Sequence, residues 1–217
     1  MDYWNYWILT LCIACFNIVG CYLLLRFFYI LTNLPTKIAH DGRVKTMIIA
    51  GSGGHTMEIM KLIGVLTSAY NPRIYVVAAT DKMSKEKLLK LEKEANLGGD
   101  FCFEIIPRSR EVRQSWLTTI WTTLYACIFS IPLVWKHRPD VVISNGPGTC
   151  IPVSLIAFAF KVMGIHNCVI VYVESVCRVT TLSLSGKIIY YFADYLFVQW
   201  PELKEKYSKS IYVGRFS

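Results

Sequence analysis

The sequence is poor in charged residues and lacks the patterns by which proteins bind nucleic acids. Asp, Glu, Lys and Arg make up only 18% of the 217 residues, although the formal net charge is +8. No dense run of Lys and Arg is interleaved with aromatic residues, and no zinc-finger or RNA-binding signature is present. Nucleic acid is therefore not an expected partner. An anionic membrane surface and a phosphate-bearing ligand remain as partners for a basic chain.

Close cysteine pairs of the kind that bind metal are also missing after the N-terminal segment. The eight Cys residues are scattered mostly through apolar runs, which predicts reduced, buried side chains in a cytosolic domain. Cys12 and Cys15 form a CxxC spacing, but no His or second pair accompanies them. This disfavours zinc or redox chemistry, and we expect neither a metal nor a cofactor.

Apolar residues, in contrast, are in excess. They make up 54% of the chain, and the mean hydropathy is +0.40, which is more than a soluble domain needs. Residues 1–30 are predicted to be a transmembrane anchor, with a span at about residues 4–25 that is long enough for a bilayer. A cleaved signal peptide is disfavoured, because Asp2 replaces the basic start and no small-residue cleavage site follows. Arg26 and later basic residues place the following domain in the cytosol.

A linker over residues 31–43 is predicted to lead into an α/β domain over residues 44–217. Short β-rich runs alternate with helical patterns, at residues 46–50, 73–79, 101–107, 141–145, 168–173 and 195–199. This alternation predicts βαβ units and a Rossmann-like, doubly wound parallel sheet. Ligands of such sheets bind beyond the carboxyl ends of the strands. The chain has room for only one domain of this type beside the anchor.

A predicted helix at residues 116–135 has an apolar stripe that fits two positions in the molecule. The stripe consists of Trp116, Leu117, Ile120, Trp121, Leu124, Ile128, Ile131 and Trp135. It could cover the sheet as part of an ordinary crossover helix. It could also lie in a membrane interface, with tryptophans at headgroup depth and the basic flanks on anionic lipid. The sequence leaves both alternatives open.

Two glycine-rich turns are predicted to meet at one edge of the sheet. The first turn follows the first strand, and its residues are Gly51, Ser52, Gly53, Gly54, His55 and Thr56. Backbone N–H groups at such a strand-to-helix turn bind phosphate. The second turn follows the fourth strand, with Asn145, Gly146, Gly148 and Thr149. We expect both turns to line a binding site for an anionic substrate.

Candidate reactive groups lie beside these turns. His55 fits a proton acceptor at neutral pH, although it could instead donate to a phosphate oxygen. Glu174 ends the fifth strand and fits a general base or a ligand of sugar hydroxyls. Arg178 follows it and could offset phosphate charge, although Glu174 and Arg178 could also simply pair with each other.

Four motifs in this order resemble a known family. The motifs are GSGGHT, NGPGTC, VYVES followed by Arg178, and LSGKIIYYFADYLFVQWPEL. Together they resemble the membrane subunits of the eukaryotic UDP-N-acetylglucosamine transferases that make the second dolichol-linked sugar. More distantly, the chain resembles the N-terminal half of the bacterial peptidoglycan N-acetylglucosaminyltransferase, a GT-B enzyme. The resemblance covers nearly everything after the anchor.

The resemblance implies a subunit of a heterodimer rather than an enzyme that is active alone. Such a subunit is single-pass in the endoplasmic reticulum membrane, extending to the outer nuclear membrane, with its domain on the cytosolic face. It binds N-acetylglucosaminyl-diphosphodolichol, while a catalytic partner binds UDP-N-acetylglucosamine. The resemblance also implies that the C-terminal tail docks on this partner, through Tyr212, Gly214, Arg215 and Phe216. By its residues alone, the tail could equally be a last edge strand.

Three other functions remain open from the sequence. One is a transferase that is complete in a single chain, and another is a bacterial-type polysaccharide subunit with a different sugar specificity. The third is a membrane scaffold whose glycine turns have no catalytic role.

Overall fold

The computed structural model describes residues 2–33, 42–94, 97–111, 114–146 and 148–215. Most of the predicted linker at residues 31–43 lies outside these ranges, and so does Phe216 of the predicted docking tail.

The described chain forms a seven-stranded parallel sheet with helices on both faces. The strand order is β3-β2-β1-β4-β5-β6-β7, which confirms the predicted doubly wound α/β fold. The strands are β1 (Thr46–Ile49), β2 (Arg73–Ala78), β3 (Phe101–Ile106), β4 (Val141–Asn145), β5 (Val169–Val173), β6 (Tyr195–Val198) and β7 (Ile211–Tyr212). The helices are α1 (Asp2–Thr32), α2 (Gly54–Gly64), α3 (Lys82–Glu94), α4 (Trp116–His137), α5 (Cys150–Val162), α6 (Leu184–Ile189) and α7 (Pro201–Lys206). The six predicted strands are all present, with ends within one residue of the predicted ones.

The central strands form because they are short, rich in Val and Ile, and covered on both sides. Every residue of β1, β2 and β4 is buried, as is typical of parallel strands between two helical layers. One core lies between the sheet and α4, α5 and α6, and the other lies between the sheet and α2 and α3. The carboxyl ends of β1 and β4 are consequently rigid supports for the turns that follow them.

Helix α1 contacts the domain only through its C-terminal end. The Phe27 ring packs edge-on against Phe158 of α5, with ring centroids 5.8 Å apart. Arg26 donates a hydrogen bond of 2.9 Å to the backbone carbonyl of Lys161. The preceding turns are almost entirely exposed. By length and composition, α1 can cross a membrane over residues 6–32.

Helix α4 packs on the core through one side and presents its apolar stripe outward. Ser115 caps its first turn by accepting a hydrogen bond from the Thr118 amide. The buried side of the helix consists of Ala126, Ser130, Leu133 and Val134. All eight stripe residues are exposed, including Leu117 at 76% and Trp121 at 73%. The interpretation in which the stripe covers the sheet is therefore wrong, because the side that packs on the sheet is a different one. Helix α4 is the second described helix that is long and apolar enough to span a membrane.

The cysteines are free, but most of them are not buried. Only Cys150 and Cys168 are fully buried, whereas Cys12, Cys15, Cys21, Cys102 and Cys177 are exposed. The prediction of buried thiols is therefore wrong for most of them. Three of these cysteines lie on α1, and they are exposed because that helix has no protein neighbours over most of its length.

Candidate functional site

A cleft of about 370 Å³ lies at the carboxyl ends of β1 and β4. These two strands are neighbours in the sheet, and the strand order reverses between them, which is where ligands bind in doubly wound folds. The cleft is lined by the first turn, the second turn, the end of β2 with Asp81, residues 108–111, the N-terminal half of α4, Arg178 and the start of α6. Among the residues described, no group of three His, Cys, Asp or Glu side chains could hold a metal ion.

Most of the predicted binding residues meet in this cleft. Its lining includes Gly51, Ser52, His55, Gly146, Gly148, Thr149 and Arg178. Gly53 and Gly54 are exposed at the start of α2. Thr56, Asn145 and Glu174 are buried and lie beneath the lining rather than in it. The structure therefore brings the two glycine turns together, but it gives three of the predicted residues a supporting position.

Hydrogen bonds on its buried side fix the conformation of the first turn, and its other side is exposed to solvent. Gly53 has a φ of 65°, a conformation that residues with a Cβ rarely adopt. The hydroxyl of Thr56 donates to the Gly51 carbonyl and lies 2.7 Å from the Ser84 hydroxyl of α3. These bonds leave Ser52 and Gly53 exposed. The start of α2 is therefore accessible to solvent, and the N–H groups of a helix start are typical donors to anions.

His55 is oriented by Asn145 across the two turns. Its Nδ1 lies 2.8 Å from Oδ1 of Asn145, and the Nδ2 of Asn145 donates to Oε2 of Glu58 over 2.8 Å. The Asn145 oxygen can only accept a hydrogen bond, so Nδ1 of His55 carries the proton. In the neutral ring, Nε2 then has a free lone pair. The side chain is 34% exposed and lines the cleft.

Glu58 is a site residue that the sequence analysis missed. Besides Asn145, its carboxylate accepts hydrogen bonds from the Ser175 hydroxyl over 2.8 Å and the Val176 amide over 3.0 Å. Glu58 thereby ties α2 to the segments that follow β4 and β5. Its position three residues after His55, on the same helix face, was the available signal. The sequence does not show that two other segments approach it.

The charges of His55 and Glu58 depend on each other. Burial raises the pKa of Glu58, but the neighbouring His55 ring and the hydrogen bonds from Asn145, Ser175 and Val176 outweigh it and lower the pKa to about 2. The pKa of His55 is raised above its usual value, mainly by the neighbouring Glu58 and secondarily by Asn145, against the effect of burial. Glu58 is therefore ionised at neutral pH, and the His55 ring keeps its second proton to a higher pH than a free imidazole does.

Glu174 holds a loop instead of facing the cleft. Its side chain is fully buried. One carboxylate oxygen accepts from the amide and the hydroxyl of Ser183, over 2.8 and 3.0 Å, and the other accepts from the Ser175 amide over 3.0 Å. Burial raises its pKa, which these bonds and the nearby charge of Arg178 lower in part. Within the described part of the chain, no ion pair joins Glu174 to Arg178. This geometry favours a role in shaping the loop that carries Arg178 over a role as a proton acceptor.

Three arginines give one side of the cleft a positive charge. Arg108, Arg110 and Arg178 all line it, together with Glu111, which lies 3.4 Å from Arg108. From the sequence, Arg108 and Arg110 were recognisable only as basic residues that flank α4. Arg108 donates to the Ser52 hydroxyl of the first turn over 3.4 Å. The guanidinium of Arg110 lies 4.5 Å from the ring centre of Trp116. Arginine forks match the geometry of phosphate oxygens, so this wall fits an anionic ligand.

The described part of the predicted docking tail forms the edge of the sheet. Residues Ile211 and Tyr212 pair with β6, and the guanidinium of Arg215 lies 5.0 Å from the ring centre of Trp200. Gly214 has a φ of 78° and follows Val213. Val213 contributes to an apolar groove of about 390 Å³ that also includes Leu62, Leu66, Tyr70, Val171, Val173 and Phe197. The tail is thus an edge strand that borders an exposed apolar surface.

Comparison with known sequences gives one consistent result. A family model described as "Oligosaccharide biosynthesis protein Alg14 like" matches residues 46–216. The UDP-N-acetylglucosamine transferase subunit ALG14 of Mus musculus is 50% identical over 188 residues, which are 83% of this chain and 87% of the relative. The subunit of the same name from Homo sapiens is 46% identical over 203 residues, covering 91% and 93% of the two chains. The one from Candida albicans is 37% identical over 212 residues, covering 93% and 96%.

Solved structures resemble the fold at low sequence identity. MurG of Acinetobacter baumannii matches with a TM-score of 0.58 and 15% identity, over 78% of this chain and 45% of that one. A UDP-N-acetylglucosamine 2-epimerase from Neisseria meningitidis, bound to UDP-GlcNAc, matches with a TM-score of 0.51 and 17% identity, over 79% and 46%. The chain therefore spans less than half the length of these proteins. It has the fold of one of their halves.

Proposed function

The chain belongs to the Alg14-like family of oligosaccharide biosynthesis proteins, and from this we propose that it is the membrane-anchoring, acceptor-binding subunit of a heteromeric UDP-N-acetylglucosamine transferase. The acceptor is N-acetylglucosaminyl-diphosphodolichol, and the complex adds the second N-acetylglucosamine at the cytosolic face of the endoplasmic reticulum. The observation that carries the proposal is the cleft in which the GSGGHT turn, His55 and three arginines converge.

The acceptor diphosphate fits the positive side of this cleft. Arg108, Arg110 and Arg178 supply charge, and the N–H groups at the start of α2 supply directed donors. A diphosphate bound there lies beside His55. The first sugar of the acceptor can then present a hydroxyl to the free Nε2 of that ring.

His55 is the proposed general base. Its Nε2 takes the proton of the acceptor hydroxyl while that oxygen bonds to the anomeric carbon of the donor sugar. The bond between this carbon and the UDP oxygen breaks at the same time, and UDP leaves with the electron pair. The raised pKa of His55 makes its neutral ring a stronger base, although a smaller fraction of the ring is then neutral. The partner subunit stabilises the charge on UDP.

The position of α4 supports a lipid-linked acceptor. Thr119 and Thr123 on α4 line the cleft, while the outward stripe of the same helix is exposed. A guanidinium stacks on the Trp ring at each end of the helix, Arg110 on Trp116 and Arg138 on Trp135. The two tryptophans are about 28 Å apart along the helix axis. A stripe with aromatic and basic ends fits a bilayer interface, so the diphosphate can enter the cleft while its lipid chain stays in the membrane.

The partner supplies the second half of the enzyme. The fold corresponds to less than half of a MurG chain, and the GT-B architecture places its active site between two such halves. The tail residues Tyr212, Gly214 and Arg215, with the apolar groove beside Val213, are the proposed docking surface. Phe216, outside the described residues, is assigned to it by the resemblance alone.

Reconstitution with purified proteins tests the proposal. The full chain is placed in liposomes with or without the partner and assayed with labelled UDP-N-acetylglucosamine and a short-chain lipid diphosphate acceptor. We expect product only when both proteins are present, and an increase of about tenfold in the acceptor KM for Arg110→Ala. Turnover by this chain alone would instead support a self-sufficient transferase. Full activity of His55→Ala in an intact complex would support a scaffold.

A further inference from the structure

The Glu58 carboxylate makes more contacts than its place on a partly exposed helix requires. It accepts hydrogen bonds from Asn145, from the Ser175 hydroxyl and from the Val176 amide, at 2.8, 2.8 and 3.0 Å. The same carboxylate lies 3.8 Å from Nδ1 of His55. Helix α2, the last residue of β4 and the segment after β5 are thus joined at one side chain, directly beneath the histidine of the cleft.

We infer that Glu58 is a positioning residue that acts on His55 through Asn145, by setting which imidazole nitrogen carries the proton. The inference rests on the proposed role of His55 as the base. It concerns the state of the ring, however, and this can be measured whether or not the ring takes part in catalysis.

The donors and acceptors in this chain of contacts have only one consistent arrangement. An ionised carboxylate can only accept, so Asn145 must turn its NH₂ group toward Glu58. Its carbonyl oxygen then faces Nδ1 of His55 at 2.8 Å and requires a donor there. The neutral ring has one proton, which is therefore on Nδ1, and Nε2 remains free to accept the proton of a substrate hydroxyl.

The orientation of the Glu58 carboxylate is also fixed on the side away from Asn145. The Val176 amide is a fixed donor that holds one oxygen of Glu58, so the carboxylate cannot rotate freely. Protonation does not release it near neutral pH, because its pKa is lowered to about 2. Only Asn145 is hydrogen-bonded to the ring among the described residues. The other charges around His55 are Glu174 beneath the cleft and, along it, Asp81, Glu111 and the three arginines at positions 108, 110 and 178.

Glu58→Gln keeps the shape of the side chain but should reverse the order of hydrogen-bond donors and acceptors between residue 58 and His55. The new side-chain oxygen stays with the Val176 amide, so the new NH₂ group faces the NH₂ group of Asn145. The Asn145 amide must then flip and donate to Nδ1 of His55, which moves the ring proton to Nε2. We expect the kcat of the reconstituted complex to fall by about 100-fold, the scale of a general base, with less than a threefold change in the acceptor KM. The acid limb of the rate profile should move to lower pH, because the carboxylate that raises the pKa of His55 is gone.

A double variant restores the pattern and separates positioning from simple damage. In Glu58→Gln with Asn145→Asp, the new NH₂ group of residue 58 donates to the new carboxylate. That carboxylate accepts from Nδ1 of His55, so the Nδ1–H form returns. We expect the kcat of the double variant to be at least tenfold higher than that of Glu58→Gln alone. Glu86→Gln, an exposed residue of α3, is the matched control and should behave as the wild type.

The ring state is read directly from ¹⁵N chemical shifts of the His-labelled full chain in nanodiscs. The chain has four histidines, and a His55→Gln sample assigns the signal. We expect Nδ1–H in the wild type, Nε2–H in Glu58→Gln, and Nδ1–H again in the double variant. If Glu58→Gln keeps the Nδ1–H form, the inference is overturned. If the tautomers switch as expected but His55→Ala remains fully active, the positioning role stands and only the proposed base is wrong.

Discussion

Replacing Gly146 by Ala tests whether the position of the His55 ring is needed for activity. Gly146 has a φ of 67°, and a Cβ there would overlap Cε1 of His55 and lie 2.5 Å from its Nδ1, where ordinary contacts begin at 3.4 Å. The ring must therefore retreat by more than about 0.9 Å, because Cε1 would be even closer to the new Cβ than Nδ1 is. This movement breaks the 2.8 Å bond to Asn145. We expect the kcat of the complex to fall about 100-fold, because a displaced base no longer reaches the acceptor hydroxyl.

The stability cost of this change can be separated from its effect on the site. A left-handed conformation costs an L-residue about 1–2 kcal/mol, or about 2–8 °C in melting temperature for a chain of this size. Gly164→Ala is the matched control, since its φ is 73° but its Cβ would meet only Arg26 and Tyr22, at 3.6 Å or more. Both variants should lose similar stability, and only Gly146→Ala should lose activity. If Gly146→Ala stays within threefold of wild-type kcat, the assignment of His55 as the base is refuted.

Four further outcomes follow from the same geometry. Glu174→Gln should lower the unfolding free energy by about 1–3 kcal/mol in chemical denaturation, because its NH₂ group opposes the amide of Ser183 or Ser175; unchanged stability would contradict the loop-holding role. The pKa of Glu58 is lowered from 4.5 to about 2, so the unfolded chain binds more protons between these values, and the stability that Glu58 contributes is present above 4.5 and lost as the pH falls toward 2. The melting temperature should therefore depend less on pH between 2 and 6 for Glu58→Gln than for the wild type. An equal dependence on pH in the two proteins would count against the ionised carboxylate. Val213→Asp should weaken co-purification of the partner more than tenfold without a change in melting temperature, and normal recovery would exclude the groove as the docking surface. In a chain that lacks residues 1–25, Trp121→Glu should reduce the fraction of protein that floats with liposomes. An unchanged fraction would show that α4 does not touch lipid.

The fold was predictable from the sequence to a large extent. The runs at residues 46–50 and 141–145 are short, apolar and followed by glycine turns, and these features lie in adjacent residues. Each strand could therefore be predicted without knowledge of its neighbours, and the handedness of βαβ crossovers restricts their arrangement. The meeting of the two glycine turns followed from the same rule. Seven residues predicted for the substrate site line the cleft.

The parts that were wrong or missed depend on contacts between distant segments. The outward position of the α4 stripe could not be predicted from periodicity, because Leu133 and Val134 also form an apolar side and only the sheet decides which side packs. Glu58 looked like an ordinary helix residue, since Ser175 is more than a hundred positions away in the chain. Glu174 stood at a strand end where catalytic carboxylates occur, but the loop with Ser183 folds over it.

The sequence by itself determined the apolar N-terminal helix, the parallel α/β sheet and the edge of that sheet where the two glycine turns meet. These features depend on local composition and on the spacing of apolar residues and glycines. Only the tertiary structure decided which polar groups face the cleft and which support it from below. That division depends on the strand order, because the order brings Asn145 and Ser175, from two distant segments, within hydrogen-bonding distance of Glu58.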